Sequence, residues 1–100
     1  MKYKVGDCVK IKTWKELEEE FGLDSRNREV INCYPHCFIK QQEESLSGDR
    51  VVRIRVVHNF GYYVEDIQWY WNEKVIERLA SEEEIGMLSP VENRFELLDL

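Results

Sequence analysis

Residues 50–71, RVVRIRVVHNFGYYVEDIQWYW, decide the fold of this chain. Val52, Ile54 and Val56 alternate with neighbours that include Arg53 and Arg55. A repeat of two residues is the period of a β-strand whose two faces meet different surroundings. The stretch therefore opens with a strand that directs Val52, Ile54 and Val56 to one side and the arginines to the other.

The rest of this stretch predicts two further strands. Residues 58–61, HNFG, contain the Asn and Gly that tolerate the backbone angles of a chain reversal. Residues 62–64, YYV, suit a pleated surface, and residues 69–71, WYW, follow a second reversal at residues 65–68. We expect an antiparallel meander of three strands.

The N-terminal part predicts a strand followed by a short helix. Val9 and Ile11 alternate with polar residues, and the strand ends at Thr13. Thr13 and Glu16 have the spacing of a capping box, in which each side chain accepts from the other residue's backbone N–H group. Gly22 is placed to end this helix in a left-handed conformation. The helix would bury apolar side chains at helical spacing, namely Trp14, Leu17 and Phe21.

The C-terminal part predicts two more helical segments and an apolar end. Asn72 can cap a helical turn that continues to Leu79, and Ser81 with Glu84 forms a second capping-box pattern. Residues 95–100, FELLDL, are too apolar for a solvated tail, so we expect them to lie on the domain or on a partner.

Length and charge restrict the classes of protein. One hundred residues fit a single domain, and 20 acidic against 14 basic side chains give a net charge of -6. Nucleic-acid binding needs lysine and arginine on one face, so the composition disfavours it and slightly favours basic partners. The three cysteines are Cys8, Cys33 and Cys37. An odd number, together with the absence of a membrane-length or leader-like apolar run, predicts a cytoplasmic protein.

Three motifs carry a resemblance to a known class of domain. Gly6-Asp7 and Gly48-Asp49 each precede an alternating strand, and residues 69–73 read WYWNE. This pattern resembles small SH3-like β-barrel proteins of bacterial and phage genomes, mostly uncharacterised, over roughly residues 2–77. The resemblance implies a mainly β domain with a five-stranded, strongly bent sheet, short peripheral helices and no catalytic apparatus. It transfers no functional residue. We therefore expect a barrel over residues 1–78 and a C-terminal extension over residues 79–100.

The best candidate site is a surface of aromatic and arginine side chains. Exposed tryptophan and tyrosine beside arginine make binding anchors, through burial of the rings and cation–π contact. The members are Arg53, Arg55, Tyr63, Trp69 and Trp71. They predict a non-enzymatic binding or regulatory module that recognises a protein surface or a peptide and needs no cofactor. The alternative is that both tryptophans belong to the core and the arginines only keep the sheet soluble.

Two other functions stay open at this point. Glutamate runs at residues 16–20 and 82–84 would suit an acidic inhibitor of a host defence that imitates nucleic acid and is encoded by a phage or mobile element. Such runs are usually solvated helix faces. Cys33, His36 and Cys37 form a weak zinc-ligand pattern that would need a fourth ligand from elsewhere. The apolar C-terminal residues would permit a homodimer.

Overall fold

The computed structural model describes residues 2–34, 36–46, 48–65 and 67–86, and it is mainly β. The strands are β1 Cys8–Ile11, β2 Val30–Ile31, β3 Phe38–Ile39, β4 Val51–Val57, β5 Gly61–Val64, β6 Ile67–Asn72 and β7 Ile76–Leu79. The helices are α1 Trp14–Phe21, α2 Lys40–Ser45 and α3 Glu82–Gly86, with a 3₁₀ turn at Glu73–Val75. No helix among these residues is both long and apolar enough to cross a membrane.

Five of the strands form one antiparallel sheet in the order β6-β5-β4-β1-β7, and β2 and β3 form a second, smaller sheet. The first half of β4 pairs with β1, where Val52 lies opposite Val9, and its second half pairs with β5, where Val57 lies opposite Tyr62. The predicted mainly β fold with a five-stranded sheet and short helices is confirmed. A closed barrel is not detected within the described ranges.

A β-bulge at Arg55 changes the face of the sheet to which the last side chains of β4 point. The register shifts between Ile54 and Val56, so one extra residue stands in β4. Because a bulge reverses the alternation that follows it, Val56 is 39% exposed and Val57 packs against the core. The prediction that Val56 shares a face with Ile54 was wrong for this reason.

The core lies on one face of the sheet and is closed by α1 and the segment from β2 to β3. The two largest fully buried side chains are Trp71 and Tyr62, which lie opposite each other across β5 and β6. Leu17 is the buried residue of α1, and the other fully buried apolar members are Val9, Ile11, Ile31, Cys33, Phe38, Ile54, Val64 and Val75.

The predicted capping of α1 is confirmed. The Glu16 backbone N–H donates to Thr13 Oγ1 over 3.1 Å, and the Thr13 backbone N–H donates to Glu16 Oε1 over 2.9 Å. Gly22 ends the helix with its N–H donated to the Glu18 carbonyl. Its φ of 80° requires glycine, but its ψ of 160° is extended rather than left-handed helical.

The segment after Asn72 departs from the predicted helix. The Asn72 side chain caps a 3₁₀ turn as expected, since its Oδ1 accepts from the Lys74 N–H over 2.9 Å. The turn ends at Val75, however, and residues Ile76–Leu79 are β7, which pairs with β1. The capping box of Ser81 and Glu84 is confirmed at α3. The prediction about the apolar residues 95–100 lies outside the described residues.

Candidate binding surface

The outer face of β5 and β6 carries a pair of tyrosines. Tyr63 and Tyr70 lie opposite each other in the register, one position beyond the buried pair of Tyr62 and Trp71. Their ring centroids are 5.3 Å apart and the ring planes meet at 78°, which is the favoured edge-to-face arrangement. Both rings are partly exposed, so the sheet presents them to solvent as a unit.

Tyr70 is held in place from three directions. Its hydroxyl accepts from the Phe60 backbone N–H over 3.0 Å, and its carbonyl accepts from Gln42 Nε2 over 3.2 Å. The ring lies against Gly61, where a β-carbon would stand only 2.9 Å from Tyr70 Cε1. Glycine at this position is therefore what lets the tyrosine ring cover the start of β5.

Two histidines complete the aromatic surface. The His58 ring lies 5.8 Å from Tyr70 and 6.4 Å from Tyr63, and the His36 ring lies 4.4 Å from Tyr70. We call the set of His36, Val56, His58, Tyr63 and Tyr70 the aromatic patch. Both histidines and Val56 are exposed, and the two tyrosines are partly buried beneath them.

The loop that carries His36 is fixed to the sheet through Asn72. This buried side chain donates from Nδ2 to the Cys33 carbonyl over 3.3 Å and to the His36 carbonyl over 3.2 Å. The same loop places Cys33 inside the core, where Sγ lies 3.2 Å from the His36 carbonyl. The edge strand β6 thus supports both Tyr70 and the backbone beside His36.

The two predicted arginines differ in their surroundings. Arg53 is partly buried, and its Nε lies 3.4 Å from Cys8 Sγ. Arg55 is exposed at the bulge beside Val56, and it makes no ion pair with any residue of the described ranges. Arg55 is therefore an exposed guanidinium on the residue that precedes Val56 of the aromatic patch.

The two predicted tryptophans do not both reach the surface. Trp71 was expected among the surface anchors, but it is 0% exposed and packs against Phe38 with ring centroids 5.5 Å apart. Its position opposite Tyr62 directs it inward. Its Nε1 is buried and has no hydrogen-bond partner in the described part of the chain. Trp69 is partly exposed, at the point where the register of β5 and β6 shifts.

The predicted metal ligands are not gathered into a cluster. Burial raises the pKa of the Cys33 thiol to about 11, whereas Cys37 is exposed and the His36 ring packs on Tyr70. Within residues 2–34, 36–46, 48–65 and 67–86, no group of three His, Cys, Asp or Glu side chains is arranged to hold a metal ion. The two cysteines of this pattern, Cys33 and Cys37, line an open cavity of about 250 Å³ together with Asn32 and Tyr34.

The glutamate runs are partly engaged in structural contacts. Glu84 accepts from Arg78 Nη2 over 3.0 Å and lies 3.2 Å from Lys10 Nζ. The hydrogen bond from Arg78 has the largest effect, and together these contacts hold the pKa of Glu84 well below its usual range. Glu16 is occupied by the cap of α1. Glu18, Glu19 and Glu20 are exposed on α1, where Glu20 pairs with Lys12 at 2.8 Å.

Of the five residues of the patch, the site predicted from the sequence contains only Tyr63, and Arg55 of that predicted site is the neighbour of Val56 in β4. Tyr70 was placed in the predicted strand of residues 69–71 but not in the predicted site, His58 was placed in the turn of residues 58–61, and Val56 was expected on the face of Ile54. His36 was read as a metal ligand. Their proximity depends on the register of β5 with β6 and on the Asn72 hydrogen bonds, so local periodicity gives no signal for it.

Neither family models nor curated proteins nor solved structures give a match to this chain.

Proposed function

We propose that this protein is a non-enzymatic binding module that recognises a protein surface or peptide through the aromatic patch. The observation that carries the proposal is the partly exposed ring pair of Tyr63 and Tyr70, flanked by His58 and His36 on the outer face of the sheet. Tyrosine is enriched where proteins bind partners, because its ring buries a large area while its hydroxyl stays hydrogen-bonded.

The patch is held in shape before any partner arrives. The hydroxyl of Tyr70 accepts from Phe60, and the Asn72 side chain fixes the loop of His36. Rings that are already ordered lose little conformational entropy on binding, so more of the contact energy appears as affinity. Val56 within the patch is 39% exposed, and the Phe60 side chain, 59% exposed, adds apolar area next to it.

A binding role is favoured over nucleophilic chemistry by the state of the buried thiol. Cys33 is buried, and its raised pKa of about 11 keeps the thiol protonated near neutral pH. A thiol nucleophile needs a lowered pKa and access to substrate. The exposed Cys37 belongs to the same loop, but the neighbouring His36 ring packs against Tyr70.

We also propose that the sheet is the body of an SH3-like barrel. Two features support this assignment: β1 pairs with both β4 and β7, and β4 divides its two halves between β1 and β5 with a bulge between them. A strand that serves two neighbours across a bulge bends the sheet. A bent sheet of this kind leaves one concave, filled face and one outer face for recognition.

The test of the function is peptide binding by the intact chain and by a Tyr63→Ala variant. Random peptides selected on the immobilised protein would be labelled and titrated by fluorescence anisotropy. Loss of a central tyrosine contact is expected to weaken binding about tenfold or more, with little change in melting temperature because Tyr63 lies outside the core.

Tyr34→Ala is the matched control, since Tyr34 is an exposed tyrosine that has no ring contact with the patch. Equal affinity of the selected peptides for the wild type and for Tyr63→Ala would overturn the proposed function.

A further inference from the structure

We propose that the partner of the aromatic patch is an acidic peptide segment, with a large apolar side chain that lies on Tyr63 and Tyr70 and a carboxylate that binds Arg55. This inference rests on the proposed function and adds the chemistry of the ligand. It runs against the net charge of -6, which by itself favours basic partners.

The local charge beside the patch differs from the charge of the whole chain. Arg55 lies within β4 next to the patch residue Val56, and the bulge directs both side chains outward. Elsewhere on this face of the sheet, Lys10 and Arg78 lie opposite each other and are both paired with Glu84. Arg55 is therefore an exposed cation, next in the chain to the patch residue Val56, that forms an ion pair with no described residue.

Arginine is suited to bind a carboxylate of a partner. Its planar guanidinium donates two parallel hydrogen bonds to one carboxylate, and it loses less hydration than a lysine ammonium when it does so. Glu65 is an exposed acidic residue directly after β5, and its backbone N–H donates to the Arg53 carbonyl over 3.0 Å. After Val56, the last residue of β4 and the turn that follows it contain no acidic residue; residues 57–60 read VHNF.

A cationic ligand fits this surface less well. An ammonium group binds over the open face of a ring, and selective recognition of such a group uses several ring faces around one point. In the patch, Tyr63 and Tyr70 instead turn edge to face against each other, at 78°, and His58 meets them at 88° and 81°. Each of these pairs sets the edge of one ring against the face of the other, so part of the ring surface is already covered and the rings do not enclose one point.

The expected size of the Arg55 contribution is modest. An exposed guanidinium–carboxylate pair changes affinity by about threefold. Screening by salt acts on this pair and leaves the apolar contact with the tyrosines unchanged. Arg55→Gln should therefore weaken binding about threefold at low salt and by less at high salt, whereas Tyr63→Ala should weaken it at both.

The experiment selects peptides from a random library on the full chain at low salt. Each selected peptide is resynthesised with every Asp and Glu replaced by the matching amide, and both forms are titrated against wild type and variants. Arg28→Gln is the matched control, because Arg28 is also exposed without an ion pair to a described residue and lies far along the chain, before β2.

We expect the selected peptides to be rich in carboxylates beside a large apolar residue. Arg55→Gln should weaken binding of the acidic forms but not of the amide forms. Arg28→Gln should weaken binding of neither form. Tyr63-dependent peptides that are neutral or basic, or amide forms that bind as well as the acidic ones, would overturn the acidic ligand and leave the proposed function standing. Peptides that bind without Tyr63 would overturn both.

Discussion

Replacement of Gly61 by alanine should damage the fold and the aromatic patch together. A β-carbon at residue 61 would stand 2.2 Å from the Trp71 carbonyl oxygen and 2.9 Å from Tyr70 Cε1. Carbon and oxygen atoms do not approach so closely, so the Trp71 carbonyl would have to retreat by about 1 Å. That carbonyl belongs to the edge strand β6, which carries both the buried indole of Trp71 and the exposed ring of Tyr70.

The magnitude follows from two costs. Forcing a methyl group into a filled space costs about 1–3 kcal/mol, and loss of one ladder hydrogen bond between β5 and β6 adds roughly 1 kcal/mol. We therefore expect Gly61→Ala to lower the free energy of unfolding by about 3 kcal/mol. For a domain of this size, that lowers the melting temperature by about 12–24 °C.

Urea unfolding followed by tryptophan fluorescence measures this change. Gly48→Ala is the matched control, because a β-carbon there meets no atom within 4 Å and the backbone is not at positive φ. The control should change the free energy of unfolding by less than about 1 kcal/mol. A Gly61→Ala variant as stable as Gly48→Ala would refute the close approach of β5 to β6, and with it the position of Tyr70.

Three further predictions address the core and its edges. Arg50 has a φ of 60° and donates from Nε to the Ile11 carbonyl and from Nη2 to Glu43. In urea unfolding, Arg50→Ala should lower the free energy of unfolding by about 2–3 kcal/mol, and Arg50→Gly should lower it by less because glycine tolerates positive φ. Equal losses in the two variants would argue against the positive φ. Burial, then its hydrogen bond to Glu73, raises the pKa of Tyr62 to about 12 from an ordinary value of 10.0. As the pH rises, the unfolded chain loses this proton before the folded chain does, so the free energy of unfolding should fall by about 2 kcal/mol from pH 10 to pH 12. Tyr62→Phe lacks the hydroxyl and should show a smaller fall. The same pH dependence in Tyr62→Phe and in the wild type would contradict the buried hydroxyl. Of the three tryptophans, Trp14 and Trp69 are partly exposed and Trp71 is buried. Trp69→Phe should therefore lower the fraction of the fluorescence that iodide quenches, whereas Trp71→Phe should not lower it. The reverse order would exchange the assigned positions of Trp69 and Trp71.

Local patterns in the sequence were sufficient for the elements whose partners lie nearby. The meander of β4, β5 and β6 and the capping box of α1 depend on residues a few positions apart, so periodicity and turn chemistry predicted them. The end of β4 was predicted on the wrong face because the bulge at Arg55 is a feature of strand pairing.

The strand β7 shows why the remaining part could not be predicted. Residues Ile76–Leu79, IERL, carry charged side chains, follow a correctly predicted cap at Asn72 and continue the spacing of a helix. Pairing with β1, more than 60 residues earlier in the chain, overrides that local preference. In the same way, the position of His36 beside Tyr70 depends on hydrogen bonds from Asn72 to a distant loop.

A titration of the isotope-labelled chain with a selected peptide, followed by amide chemical shifts, tests most directly whether the aromatic patch is the recognition surface. We expect the largest shifts on one side of the sheet, at Arg55, Val56, His58, Tyr63 and Tyr70. Shifts centred on the exposed glutamates of α1 or on α3, with the β5–β6 amides unmoved, would contradict this expectation.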